Sequence, residues 1–158
     1  MTLFLGNYQH KIDQKGRLVM PRKLMEEAQG DHKSCRFVVT LGLDPCLYLF
    51  TREGFLEHVQ HVRQAAFGDP EFRDVMRGVG HLSVEVVPDS HGRIQIPAEL
   101  RKRVGLDTEV TVVGVVDHIE VWNRKRWQDS ASDEAENTYL ERADRYFLSG
   151  PPNPGVEP

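Results

Sequence analysis

The chain has 158 residues, 39% of them hydrophobic and 28% charged, with a formal net charge of −4, a balance that fits one ordinary globular domain or two very small ones. No stretch approaches the roughly 18 apolar residues of a membrane-spanning helix, and Met1–Asn7 has neither the basic region nor the apolar run of a secretory leader, so the cytoplasm is the expected compartment. Cys35 and Cys46 fit neither a disulfide framework nor a zinc site and read as reduced, buried thiols.

Tyr8, His10 and Ile12 alternate in the manner of a first strand. Asp13-Gln14-Lys15-Gly16 then specifies a tight turn. The aspartate can accept from the backbone two residues on, and the glycine tolerates positive φ, which suits a type I turn with a following bulge. A return strand begins at Arg17. Pro21 is expected at the first position of a short helix that runs to about Gln29. Phe37–Leu41 and Leu47–Phe50 form a β-prone strand pair. From Thr51, an expected N-cap, Phe55, Leu56, Val59, Val62 and Ala66 recur at helical spacing until Gly68-Asp69-Pro70, and a second linker helix leads to Gly78 and Gly80. Leu82, Val84 and Val86 open another strand. Asp89-Ser90-His91-Gly92 makes another turn, Pro97 another short helix to about Val104, and Val110–Val116 with Ile119–Trp122 another strand pair. Arg124–Leu148 is helix-like, and Ser149–Pro154 is too rich in proline to fold.

This order restates itself because the chain contains a repeat. Asp13–Leu24 aligns without gaps on Asp89–Leu100, with Asp, Gly, Arg, Pro and Leu in register; after a small gap Gly42 matches Gly114, Leu47–Phe50 matches Ile119–Trp122, and Phe55 matches Trp127. The expected organisation is therefore α+β. A first module spans 7–54, a helical linker 55–82, a second module 83–126, and a C-terminal helix with its tail 127–158.

Charge is segregated along this plan. Between Met1 and Lys23 the cations Lys11, Lys15, Arg17, Arg22 and Lys23 face only Asp13, whereas from Gln128 onward seven carboxylates face only Arg142 and Arg145. The net negative charge thus conceals a basic start; the acidic run by itself reads as a solvated helix face. An arginine just after a tight turn projects from the end of a two-stranded ribbon, an element that fits the major groove of duplex DNA. Arg17 and Arg93 are then the candidate base readers, and Lys15, Arg22 and Lys23 the candidate phosphate contacts. Asp13 and Asp89 close the turns with Gly16 and Gly92 and can hold each arginine extended. For one hairpin, a turn with a surface salt bridge is the simpler account. Two hairpins that keep both turn residues and arginine, while Gln14-Lys15 becomes Ser90-His91, favour a role beyond the turn.

Gly6-Asn7-Tyr8, Asp13-Gln14-Lys15-Gly16-Arg17 and Asp89-Ser90-His91-Gly92-Arg93 closely resemble the MraZ family, which carries two SpoVT/AbrB-type modules each marked by Asp-x-x-x-Arg. The resemblance extends to about Phe147. It implies a swapped-hairpin, pseudo-symmetric β-barrel built from both modules, ring-like homo-oligomers, and nucleoid-associated repression at short tandem G-rich repeats upstream of a division and cell-wall gene cluster. Asp13, Arg17, Asp89 and Arg93 match the family's motif positions, Lys15 lies within the first motif, and the second motif departs from a basic pattern with Ser90-His91. Histidine being mostly neutral near pH 7, the second module is expected to bind more weakly, with ring avidity offsetting weak single sites.

Other chemistries fit poorly. A proton-sharing pair of Asp13 and Asp89 would need an occluded cleft, and the cations beside them favour ionisation of both. Adjacent Asp89, Ser90 and His91 cannot align as a nucleophilic triad. His58 and His61 lie one helical turn apart with only Glu57 nearby, too few ligands for a metal. No catalytic residue, metal, cofactor or small-molecule substrate is expected. The competing reading is an antitoxin-type module that neutralises a partner protein through its helical, acidic C-terminal half; the length spent on a second hairpin module favours the regulator.

Overall fold

The computed structural model describes residues 2–30, 34–66, 68–131 and 133–149. The proline-rich end anticipated as a tail lies outside them from residue 150 onward. Two compact units are present, Met1–Arg124 and Lys125–Pro158.

The first unit runs β1 (Asn7–Lys11), β2 (Arg17–Val19), α1 (Arg22–Gln29), β3 (Phe37–Leu41), β4 (Leu47–Thr51), α2 (Arg52–Ala66), α3 (Pro70–His81), β5 (Val84–Val86), β6 (Arg93–Gln95), α4 (Ala98–Arg103), β7 (Glu109–Val115) and β8 (His118–Asn123). The mixed α+β class and the repeated element order match the sequence reading. Six strands form one antiparallel sheet in the order β1-β7-β8-β4-β3-β5, and β2 with β6 forms a separate ribbon. Among the described residues the strands pair as one six-stranded sheet and one separate ribbon, and no closed ring is seen.

The two halves interleave. β1 pairs with β7 of the other half, and its repeat equivalent β5 pairs with β3, the equivalent of β7. Between halves, β4 meets β8 with Tyr48 opposite Glu120, and β2 meets β6 with Leu18 opposite Ile94. Both ladders are thus centred on repeat-equivalent residues, so an internal two-fold relation passes through them. The return strand of each turn therefore finds its ladder in the other half; the first also keeps the isolated bridge Ile12–Leu18 within its own hairpin.

The repeat also places its apolar positions in one core. Leu18 and Ile94, Met20 and Ile96, and Leu24 and Leu100 are all buried as equivalent pairs, joined by Phe4, Phe37, Val39, Leu47, Leu49, Val110, Val112, Ile119 and Val121. Each such large side chain contributes about 1.5–3 kcal/mol on leaving water, so the core depends on both halves being present. Gly42 and Gly114, matched in the repeat, both allow close approach: a Cβ on Gly114 would lie 2.4 Å from the Leu5 amide nitrogen, and one on Gly42 would lie 2.7 Å from Cys46 Sγ.

Local signals resolve with small shifts. Pro21 and Pro97 are N-caps, one position earlier than anticipated, since each keeps an extended ψ above 130° that a helical residue cannot have. The Thr51 hydroxyl accepts from the Gly54 amide at 3.0 Å and starts α2, and the Asp69 carboxylate accepts from the Glu71 amide at 2.9 Å and starts α3. Leu82 caps α3 and is not part of β5. The helical span after Trp122 divides into α5 (Arg124–Ser130) and α6 (Asp133–Ser149), the latter within the second unit. Ser130 Oγ donates back to the Trp127 carbonyl at 2.7 Å, a local bond that competes with continued helix.

Candidate nucleic-acid interface

The two turns are the same object built twice. In the first, the Asp13 amide donates to the Arg17 carbonyl (2.9 Å) and the Gly16 amide to the Asp13 carbonyl (3.0 Å). Asp13 Oδ1 accepts from the amides of Lys15 and Arg17, both at 2.9 Å, and Oδ2 from Arg17 Nε at 2.8 Å. In the second, the Asp89 amide reaches the Arg93 carbonyl at 2.9 Å and the Gly92 amide the Asp89 carbonyl at 3.0 Å. Asp89 Oδ1 accepts from His91 (2.8 Å) and Arg93 (3.0 Å), and Oδ2 from Arg93 Nε (2.7 Å). Gly16 and Gly92 have φ of +79° and +72°, the left-handed conformation that closes a type I turn with a bulge.

One carboxylate therefore performs two tasks. It satisfies turn amides with one oxygen and fixes the arginine with the other. Engagement through Nε leaves the Nη edge of each guanidinium able to donate to a further pair of acceptors. The backbone bond from Arg17 and, more weakly, its side chain hold the Asp13 carboxyl below its ordinary range against a desolvation that pushes the other way. The matching bonds from Arg93 and His91 lower Asp89 to about 2. Both aspartates are thus ionised, each committed to its own arginine, which is the reverse of a shared-proton pair.

The β2–β6 ladder places the two arginines on one surface. Arg17 is opposite Gln95 and Arg93 opposite Val19, while Leu18 and Ile94 between them face the core. Strand alternation puts Arg17, Val19, Gln95 and Arg93 on the outer face, with the two arginines as diagonal neighbours at a Cα separation of roughly 7–8 Å. This corrects the picture of two self-contained hairpins, each with its own reading head. A single ribbon, one strand from each half, carries both arginines.

The other predicted residues occupy different positions. Lys15 and His91 are exposed within the turns, with His91 Nδ1 3.2 Å from Ser90 Oγ. Arg22 and Lys23 are exposed at the start of α1, and Arg22 Nε bonds Glu26 Oε1 at 2.8 Å, outside the turn networks. Sequence reasoning missed Gln95 and Arg101. Gln95 Nε2 donates to the Lys15 carbonyl at 2.7 Å, and Arg101 lies over the same turn: a Cβ on Gly16 would be 2.7 Å from Arg101 Nη2 and 2.9 Å from Gln95 Nε2. Their sequence separation from Gly16 left no local signal.

Other candidate chemistry is not assembled. Among the described residues no group of three or more His, Cys, Asp or Glu side chains could hold a metal ion. His58 instead stacks on Phe50 at a centroid distance of 4.9 Å; the His61 side chain lies outside the described residues. Cys35 and Cys46 are buried and free, and burial is the main cause that raises both thiols, Cys35 to about 11. No helix among the described residues is long and apolar enough to cross a membrane.

An interleaved α+β sheet with a doubled Asp-braced arginine ribbon defines a protein made by duplication of one small hairpin module. The family model described as "MraZ protein, putative antitoxin-like" matches residues 3–78 and 83–149, and the chain belongs to the MraZ family. Proteins named transcriptional regulator MraZ from Moorella thermoacetica and Saccharopolyspora erythraea are each 39% identical, covering 80% and 88% of this chain and 85% and 93% of their own. That of Lachnoclostridium phytofermentans is 37% identical over 83% of this chain and 89% of its own.

Proposed function

We propose that this protein is a transcriptional regulator that binds duplex DNA sequence-specifically through the β2–β6 ribbon, and is not an enzyme. The supporting observation is the pair of matching Asp–Arg networks on one exposed ribbon face. A two-stranded ribbon fits the major groove, and a guanidinium can donate bidentately to guanine O6 and N7. In this reading Arg17 and Arg93 read bases; Lys15, His91, Arg22 and Lys23 contact phosphates; and Asp13, Gly16, Asp89 and Gly92 position the turns. The relatives from Moorella thermoacetica, Lachnoclostridium phytofermentans and Saccharopolyspora erythraea are named transcriptional regulators, which supports a regulatory role.

The finer expectations form part of the same proposal. The interleaved modules, 7–54 and 83–126, would complete a swapped-hairpin barrel, with the linker at 55–82 and the C-terminal segment at 127–158 outside it. The protein would act in the cytoplasm at the nucleoid, as a ring-like homo-oligomer that represses its own division and cell-wall gene cluster from tandem promoter repeats. Avidity across repeats would compensate for modest single contacts.

Fluorescence-anisotropy titration of the full chain against its own upstream DNA and a scrambled duplex, across salt concentrations, tests the reading. Preference for the upstream duplex with a steep fall in affinity as salt rises supports it. Binding to neither duplex rejects it in favour of the module that neutralises a partner protein.

A further inference from the structure

The two turns match in their own bonds and differ in what supports them. Their backbone supports are equivalent: the Ile96 amide donates to the Gly16 carbonyl at 2.9 Å, and the Met20 amide to the Gly92 carbonyl at 3.0 Å. The side-chain supports are not. The first turn is held from the other half by Gln95, which donates to the Lys15 carbonyl, and is overlaid by Arg101, whose Nε donates to the Ile96 carbonyl at 3.2 Å. The repeat places Val19 and Met25 at the corresponding positions. The side chains of valine and methionine have no N–H to donate to the second turn. The space reflects this, since a Cβ on Gly92 would meet nothing within 4 Å.

Resting on the DNA-binding reading, we propose that Gln95 and Arg101 are positioning residues that the second half contributes to the first turn, making Arg17 the leading reader and leaving Arg93 on a turn held by its own network and backbone bond alone. Two physical effects act in the same direction. A turn already fixed in its bound shape loses less conformational freedom on binding. Arg101, which has no carboxylate partner among the described residues, also adds a guanidinium to the side of the ribbon that carries Lys15 and Arg17, raising the local attraction for phosphate.

Residue-resolved hydrogen exchange on the full-length protein, combined with the anisotropy titration, tests this with Gln95→Val, Gln95→Val/Arg101→Met and Arg101→Lys. In the wild type, the amides of Lys15, Gly16 and Arg17 should exchange roughly three- to tenfold more slowly than those of His91, Gly92 and Arg93, the factor that one net hydrogen bond supplies. The double variant should erase that difference without changing the second turn and should weaken binding to the upstream duplex. Arg101→Lys, which keeps the charge, should recover part of the affinity. Gln95 is exposed, so Gln95→Val tests the brace even if the double variant fails to fold. Equal exchange at both turns in the wild type, or unchanged exchange and affinity in the folded variants, would overturn the proposal. A wild type that does not distinguish the upstream from the scrambled duplex would instead refute the DNA-binding reading, a result separate from the exchange comparison.

Discussion

Arg17 and Arg93, 76 positions apart in the chain, are diagonal neighbours on the outer face of one two-stranded ribbon, each held through Nε by the aspartate four residues before it. Because Leu18 and Ile94 anchor the inner face at the same level, the ribbon is attached to the core where it presents its arginines. Arg17→Ala and Arg93→Ala should therefore leave the fold intact. Each should reduce discrimination between upstream and scrambled duplex by about 1–3 kcal/mol, the usual value of a bidentate guanine contact. Anisotropy titration measures this, with circular dichroism as the check on folding; unchanged discrimination in both variants would remove the ribbon as the reading element.

The aspartates make the turns sensitive to acid. Both carboxyls are lowered in the folded protein, Asp89 to about 2, so the bonds they make are fully present above the ordinary unfolded carboxyl range near pH 4. That contribution is lost as pH falls through the folded values, and it does not change between pH 5 and 8. Titration of the two side-chain carboxyl carbons by NMR should show both midpoints below that of an unstructured aspartate. Midpoints near 4 would show that the arginine and amide bonds do not persist in solution.

Gly114 tests the close packing of the N-terminal segment. The amides and carbonyls of Phe4 and Val116 exchange bonds at 2.8 Å, and an added Cβ at Gly114 would meet the Leu5 nitrogen at 2.4 Å and the Phe4 carbonyl carbon at 2.6 Å. These are backbone atoms that cannot turn aside. Gly114→Ala should destabilise the protein by at least about 1–3 kcal/mol, the cost of overpacking, seen as a lower midpoint in denaturant. Gly92→Ala meets no neighbour and carries only the left-handed strain of about 1 kcal/mol. Equal effects of the two substitutions would contradict this account.

His118 adds a second pH dependence, opposite in sign. Burial works to lower its pKa, but hydrogen bonds and charge from Glu120 and Asp117 outweigh it and raise the imidazole above its ordinary 6.5. Its ring nitrogens lie 3.2 Å from Glu120 Oε1 and 2.7 Å from Asp117 Oδ1, and the ring is 4.5 Å from that of Tyr48. A raised pKa contributes stability that is complete below about 6.5 and lost as pH rises through the folded value. Denaturant midpoints should fall between pH 6 and pH 8 in the wild type, and His118→Gln should flatten that dependence. An identical slope in the variant would place its origin elsewhere.

Much of this molecule was legible in the residues because its signals are local or repeated. Asp at the first turn position and Gly at the fourth dictate hydrogen bonds that close within five residues, so the two turns could be read without knowledge of the rest. The register of Asp13–Leu24 on Asp89–Leu100 likewise aligned residues that the fold buries as pairs, Leu18 with Ile94 and Leu24 with Leu100. The helix start at Thr51 depends on one side chain; Asp69, read only as part of a break, turns out to cap α3, and the end of α5 carries a serine back-bond whose effect competes with propensity and is harder to anticipate.

The sequence by itself determined the module, its duplication and the turn chemistry, and pointed to Arg17 and Arg93 as the residues to test. Only the tertiary structure decided that the halves interleave, that both arginines share one ribbon, and that Gln95 and Arg101 support one turn and not the other. The reason is that β1 and β5 carry the same alternating pattern whether they pair within their own half or across it. Strand pairing and packing between residues this far apart in the chain are selected by burial of the common core, which no local pattern encodes.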